Sequence, residues 1–187
     1  RRRQVMLVGA ALAVTGGVLP FGSFAAKEGP VKIGVNISMS GQFASTGKQV
    51  AAAIELYQKQ HGTSVAGREV QVIIRDDGGV APDATRRIAQ ELVTRDKVDV
   101  LAGFALTPLA YATAPIATQS KTPMVVMAAA TSAVVDRSPY VVRTGFTLPL
   151  VTQPLSQWAS AQGITKAMTF VSDYGPGIDA EKVFVKN

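Results

Sequence analysis

Val31-Lys32-Ile33-Gly34-Val35-Asn36-Ile37, followed by the small and hydroxylated run Ser38-Met39-Ser40-Gly41-Gln42-Phe43-Ala44-Ser45-Thr46-Gly47, decides the fold of this chain. The first segment alternates and is rich in β-branched residues. Beyond the second, Val50, Ile54 and Tyr57 recur at helical spacing, so the stretch reads as strand, loop, helix. The rhythm then repeats. Turn residues around Gly62 and Gly67 lead to a strand at Val70-Gln71-Val72-Ile73-Ile74, which ends at Asp76-Asp77-Gly78-Gly79. Pro82-Asp83 opens a helix in which Ala84, Ile88, Ala89, Leu92 and Val93 share one face, proline being suited to a first turn where its missing N–H is no loss. Val98-Asp99-Val100-Leu101-Ala102-Gly103 is a third strand, and residues 109–120 a helix that Pro115 is expected to kink. Pro123-Met124-Val125-Val126-Met127 and Tyr140-Val141-Val142-Arg143 complete a set of five strands. Strands alternating with helices imply parallel pairing through right-handed crossovers, because each helix must carry the chain back to start the next strand in the same direction. The fold class is α/β, a parallel doubly wound sheet.

After Thr147-Leu148-Pro149 the rhythm restarts, with a helix through Trp158, read as packing, and a strand at Ala167-Met168-Thr169-Phe170-Val171. Asp173-Tyr174-Gly175-Pro176-Gly177 precedes a last helix containing Ala180, Val183 and Phe184. Residues 27–149 are therefore expected to form one lobe and residues 150–187 the start of a second. The chain starts without methionine, and its last helix stops at Asn187 with no capping glycine or partner strand. A fragment of a longer protein is the expectation.

The first 26 residues carry their own message. Arg1-Arg2-Arg3, an uncharged run over residues 5–19, Pro20 and Gly22-Ser23-Phe24-Ala25-Ala26 are the basic, apolar and cleavage regions of a secretory signal. The 15 apolar residues fall short of the ~18 a bilayer-spanning helix needs, so cleavage after Ala25 or Ala26 is expected rather than a retained anchor. Arg2-Arg3-Gln4-Val5-Met6-Leu7 is also similar to a twin-arginine export signal. Without the three leader arginines, 16 basic residues face 13 acidic ones, a net charge of only +3. The remaining basic residues are scattered and not interleaved with aromatics, which argues against a nucleic-acid surface. The absence of cysteine excludes disulfides, thiolate metal sites and thiol nucleophiles within this chain.

In an open α/β sheet, ligands bind beyond the carboxyl ends of the strands. The loops there are the run from Ser38 to Gly47, Phe104-Ala105-Leu106-Thr107-Pro108, Ala128-Ala129-Ala130-Thr131-Ser132 and Asp173-Tyr174-Gly175. They are small, hydroxylated or aromatic, with no cluster of titratable groups. Hydroxyls and backbone N–H groups at helix starts suit a carboxylate. Other chemistries lack their parts. Ser40-Gly41-Gln42-Phe43-Ala44-Ser45 is no dinucleotide fingerprint, and Gly47-Lys48-Gln49 breaks a P-loop. G-x-S-x-G is absent, and the sole histidine, His61, reads as a solvated helix-end residue. Asp76-Asp77 beside glycines reads as a loop and helix-start feature, not a metal site. Thr107 and Thr131 have an alternative reading as ordinary helix N-caps, and Phe43 and Phe104 as residues closing over the core.

In order along the chain stand Val31-Lys32-Ile33-Gly34, Ser40-Gly41, Gly47, Arg75-Asp76-Asp77, Pro82, Ala84, Ala89, Gly103, Ala129-Ala130-Thr131, Val142-Arg143-Thr144 and Tyr174-Gly175. With the export signal before them, their order and spacing resemble the leucine/isoleucine/valine-binding proteins, extracytoplasmic receptors of branched-chain amino-acid ABC importers with the type I periplasmic binding fold. The resemblance implies a ligand held between two lobes, the first completed by strands that return after the second. Its carboxylate contacts fall on Thr107 and Thr131, with Ala129 contributing backbone, Thr46 flanking the ligand and Tyr174 closing on it from the second lobe. Phe104, Leu106, Phe43 and Tyr174 would offer apolar and aromatic surface to the rest of the ligand. The family's acidic partner for the ligand ammonium falls beyond this chain; a branched-chain or other aliphatic amino acid is expected first and an aromatic acid second. Two departures are a threonine at Thr107, followed by Pro108, where serine is usual, and the absence of the disulfide that in better-known members links the loops holding Gly79 and Leu106. The implied protein is periplasmic, monomeric at full length, free of cofactor and metal, and partnered with an ABC permease of the inner membrane. An exported α/β hydrolase, or a ligand-sensing domain of a receptor or amide-type regulator, is the alternative.

Overall fold

The computed structural model describes residues 29–186, so the leader and its cleavage point lie outside the described residues. β1 (Val31–Asn36) pairs in parallel with β3 (Arg68–Arg75) on one side and β4 (Val100–Gly103) on the other. β5 (Met124–Val126) and β6 (Val141–Arg143) extend the sheet, again in parallel. A two-residue strand, β2 (Ser64–Val65), adds to the far edge antiparallel to β3, giving the order β2-β3-β1-β4-β5-β6. The sequence reading left β2 inside a turn. Ala66 and Gly67 both take positive φ (50° and 77°), the backbone of a two-residue hairpin turn, but Ala-Gly lacks the usual Asn-Gly signature.

Successive residues of each strand bury on opposite faces, and helices cover both. α2 (Pro82–Thr94) and α3 (Thr107–Ser120) pack on one face, where Ala89, Leu92, Ala114 and Ala117 meet Leu101, Met124, Val126 and Val141. The alternate strand residues Val35, Ala102, Val72, Ile74 and Val125 share the other face with Val50 and Ile54 of α1 (Ala44–His61). Burial on both faces is why these strands read as nearly continuous apolar runs. Tyr57 leaves the expected buried stripe: it is exposed at an apolar groove of about 520 Å³ beside α1, its ring 4.5 Å from that of His61. α3 continues as helix through Pro115.

From β1 the chain crosses one way to β3 and later the other way to β4, so the switch point lies between β1 and β4, where the loops beyond their carboxyl ends diverge. Gly103 makes that pairing possible. Its φ is 111°, and a Cβ there would sit 2.3 Å from the Asn36 carbonyl oxygen, which accepts the Phe104 N–H at 2.9 Å.

Beyond β6, α4 (Leu148–Ala161) and α5 (Gly175–Lys186) pack on each other. The expected lobe boundary after residue 149 falls in the first turn of α4. Two expectations are corrected here. Residues 167–171 form no strand, and Met168 and Phe170 are 95% and 100% exposed, because a strand exists only through a ladder and none lies alongside. Trp158 is 57% exposed instead of packed, since α4 turns its hydroxylated side, Thr152 and Ser156, inward. None of the described helices is long and apolar enough to cross a membrane.

Gly103→Ala is expected to cost about 3 kcal/mol, combining a strained φ with a backbone clash. Urea unfolding of the natural full-length protein reads it as a lower midpoint with unchanged slope, and a shift under about 1 kcal/mol would show that the β1–β4 approach is not tight.

Candidate ligand-binding site

The loops after β4 and β5 meet at two hydroxyls. Thr107 Oγ1 and Thr131 Oγ1 lie 2.7 Å apart, and both residues are buried. Neither hydroxyl caps a helix. Leu106, not Thr107, is the N-cap of α3, and Thr131, at the N-cap of the 3-10 turn Ser132–Arg137, makes no side-chain cap bond. The N-cap alternative therefore fails for both. One O–H serves the bond between the two oxygens, and the other is left to give to a third atom, as a carboxylate oxygen requires.

The surroundings fix this pair. Ala129 N–H donates to the Phe104 carbonyl at 3.1 Å, and Met127 N–H to the Gly103 carbonyl at 2.8 Å, tying the β5 loop to the β4 turn. Arg143, at the end of β6, reaches back so that Nη1 donates to the Thr131 carbonyl at 2.5 Å. The strand-end loops themselves contain no lysine or arginine; Arg143 arrives from a neighbouring strand, which local sequence does not show.

The other expected contacts divide. Ala129 is buried, and its N–H is already given to the Phe104 carbonyl of the β4 turn. Leu106 is partly buried against the core cluster of Val35, Ile37, Ala102 and Ala105. Thr46 lies in the first turn of α1, partly buried, next to Gly47, where a Cβ would come 2.0 Å from the Ser38 carbonyl oxygen. Tyr174 is 38% exposed just before α5. Phe104 is a correction. Its φ of 62° turns the side chain inward and the ring is fully buried in the core, so it offers no surface to a ligand in this arrangement.

Asp76 and Asp77 act as loop ties. Asp76 Oδ1 accepts the N–H groups of Met39 (2.8 Å), Gly78 (2.9 Å) and Ser40 (3.3 Å), while buried Asp77 accepts the Ser38 hydroxyl at 2.6 Å and the Gly79 N–H at 3.0 Å. They join the loop after β1 to the loop after β3. Asp179, which sequence reasoning missed, meets the loop after β5 from α5. Asp179 Oδ2 accepts the Ser132 N–H at 2.8 Å, and Gly175 lies against Thr131, its absent Cβ only 2.5 Å from Oγ1. A cavity of about 910 Å³ between α2 and α3 includes none of the candidate ligand residues.

Hydroxylated loops thus stand at the switch point of a parallel sheet, with α5 packed against the one after β5. The chain belongs to the periplasmic binding protein family, whose model it matches over residues 30–187. It is 45% identical over 167 residues to the Leu/Ile/Val-binding protein homolog 6 of Brucella abortus, covering 89% of this chain and 43% of that protein. It is similar to a solute-binding protein of an ABC transporter from Rhodopseudomonas palustris BisB5 in complex with 3,4-dihydroxybenzoic acid, with a TM-score of 0.82 and 51% identity over 85% of this chain and 44% of the other. A solute-binding protein from Rhodopseudomonas palustris HaA2 in complex with p-hydroxybenzoic acid has a TM-score of 0.81 and 45% identity, covering 84% of this chain and 43% of that one. The chain thus spans less than half the length of these relatives.

The Ser40 hydroxyl above all, then the N–H groups of Gly78, Met39 and Ser40, hold the Asp76 carboxyl below its ordinary value of 3.8 against the opposing effect of desolvation. A folded-state value below the unfolded one stabilises above the unfolded value and ceases to as the pH falls through the folded one. The stability difference between wild type and Asp76→Ala is expected to be constant from about pH 7 to 5 and to shrink below about pH 3.8. Denaturant titrations across that range check it, and a pH-independent difference would remove the charge from the account.

Proposed function

We propose that the protein is the extracytoplasmic solute-binding receptor of an ABC importer and takes a small monocarboxylate with an aromatic body, a hydroxybenzoate-type acid first. It binds without covalent chemistry and hands its cargo to a permease of the inner membrane. The observation that carries this reading is the buried Thr107–Thr131 hydroxyl pair at 2.7 Å, beside the switch point and free of capping duty. Such a pair presents a neutral donor to one carboxylate; a phosphate or dicarboxylate would call for more cationic contacts. Tyr174 and Leu106 supply aromatic and apolar surface beside it.

The aromatic acid comes first because the two Rhodopseudomonas proteins, at 51% and 45% identity, are complexes with hydroxylated benzoic acids. A branched-chain amino acid is the second reading, favoured by the name of the Brucella relative. Export through a cleaved leader, a periplasmic location and a two-lobed monomer with residues 27–149 in the first lobe belong to the same proposal. So does closure of the second lobe on the ligand, the motion general to such receptors.

Calorimetric titration of the natural full-length protein with 4-hydroxybenzoate, benzoate and leucine decides between the readings. Thr107→Val and Thr131→Val, which keep shape and remove the hydroxyl, are each expected to weaken carboxylate binding by about 1.5 to 3 kcal/mol. The double variant should lose less than the sum, because the two hydroxyls share one bond. Binding of sugars or phosphate with no response to any monocarboxylate would overturn the assignment, as would unchanged affinity in both variants.

A further inference from the structure

Gly175 and Asp179 stand four residues apart at the start of α5 and so share one side of that helix. Both meet the loop after β5. Asp179 Oδ2 accepts the N–H of Ser132 at 2.8 Å, across 47 residues of sequence, while the bare Cα of Gly175 rests on the hydroxyl of Thr131. Glycine is present at 175 for space and not for conformation: its φ is not in the left-handed region, yet a Cβ would come 2.5 Å from Thr131 Oγ1 and 3.1 Å from its Cγ2. The second unit is thereby seated on the residue whose hydroxyl pairs with Thr107.

We propose that Asp179 is a positioning residue and, with Gly175, forms a latch through which α5 clasps the Thr131–Ser132 segment and holds the ligand-facing hydroxyl pair in place. The inference rests on the receptor reading of the site. Its physical content is that closure of the second unit and orientation of the carboxylate donors are one event. A carboxylate accepting a backbone N–H is a charge-assisted bond, stronger than a neutral one, and it acts directly next to the ligand contact. Breaking it leaves the cleft accessible but loosens its closed form, so the effect falls on dissociation of ligand rather than on its arrival.

The test uses the natural full-length protein with 4-hydroxybenzoate as probe and stopped-flow fluorescence to separate the two rates. Asp179→Ala is expected to raise the dissociation rate about tenfold and leave the association rate within about twofold, while Asp179→Asn, which keeps an acceptor oxygen, stays within about threefold of wild type. Gly175→Ala, which props α5 away from Thr131, should behave like Asp179→Ala. Ser132→Pro removes the N–H itself, and Thr131, at ψ 133°, already has the extended backbone that a residue before proline adopts. Combined with Asp179→Ala it should add nothing further, in probe affinity and in thermal unfolding of the ligand-free protein alike. Additive effects in both measurements, an unchanged dissociation rate in Asp179→Ala, or equal losses in Asp179→Ala and Asp179→Asn would overturn the latch. A wild-type protein that binds no monocarboxylate defeats the functional reading instead, and the unfolding cycle still decides whether the latch exists.

Discussion

The close approach of β4 to β1 at Gly103 is the constraint on which the rest of the structure depends. Gly103 and Phe104 both take positive φ, so the chain turns sharply as it leaves the sheet, and the Phe104 N–H closes onto the Asn36 carbonyl. The carbonyls of the same two residues accept the N–H groups of Met127 and Ala129. One dipeptide therefore sets the distance between β1 and β4 and anchors the loop after β5. The conformation is unfavourable for phenylalanine in isolation, and burial of its ring in the core offsets that cost.

From that anchor the site follows. Three residues after Phe104, α3 begins at Thr107, and two residues after Ala129 stands Thr131, so their hydroxyls are brought together from loops held by one turn. Arg143 pins the Thr131 carbonyl from the next strand and α5 covers the same segment from the second unit. The charged groups here act on the loop backbone: Asp76 and Asp77 tie two loops, Arg143 holds a carbonyl and Asp179 holds an N–H. The two hydroxyls, in contrast, bond to each other.

Much of the architecture was legible beforehand. The β-branched run at Val31-Lys32-Ile33-Gly34-Val35 and the helical spacing of Ile88 and Leu92 are local patterns, and local patterns survive translation into β1 and α2. Reading failed where the outcome depends on a partner. Residues 167–171 have strand propensity and no ladder among the described residues, and Trp158 has helical neighbours of the right kind but is more than half exposed on α4. β2 was missed because its hairpin turns at Ala66-Gly67, a weak signal for a two-residue loop.

The sequence by itself determined the alternation of strands and helices, the parallel sheet this implies, the exclusion of thiol chemistry and the hydroxylated character of the loops at the strand ends. These follow from side-chain periodicity and composition, which act over a few residues. The tertiary structure alone decided that Thr107 and Thr131, 24 residues apart, touch at 2.7 Å, that Phe104 turns into the core, and that Asp179 reaches Ser132 across 47 residues. Periodicity specifies which face of an element is apolar, whereas the meeting of two distant polar atoms depends on sheet order, strand register and the backbone angles of the turns between them.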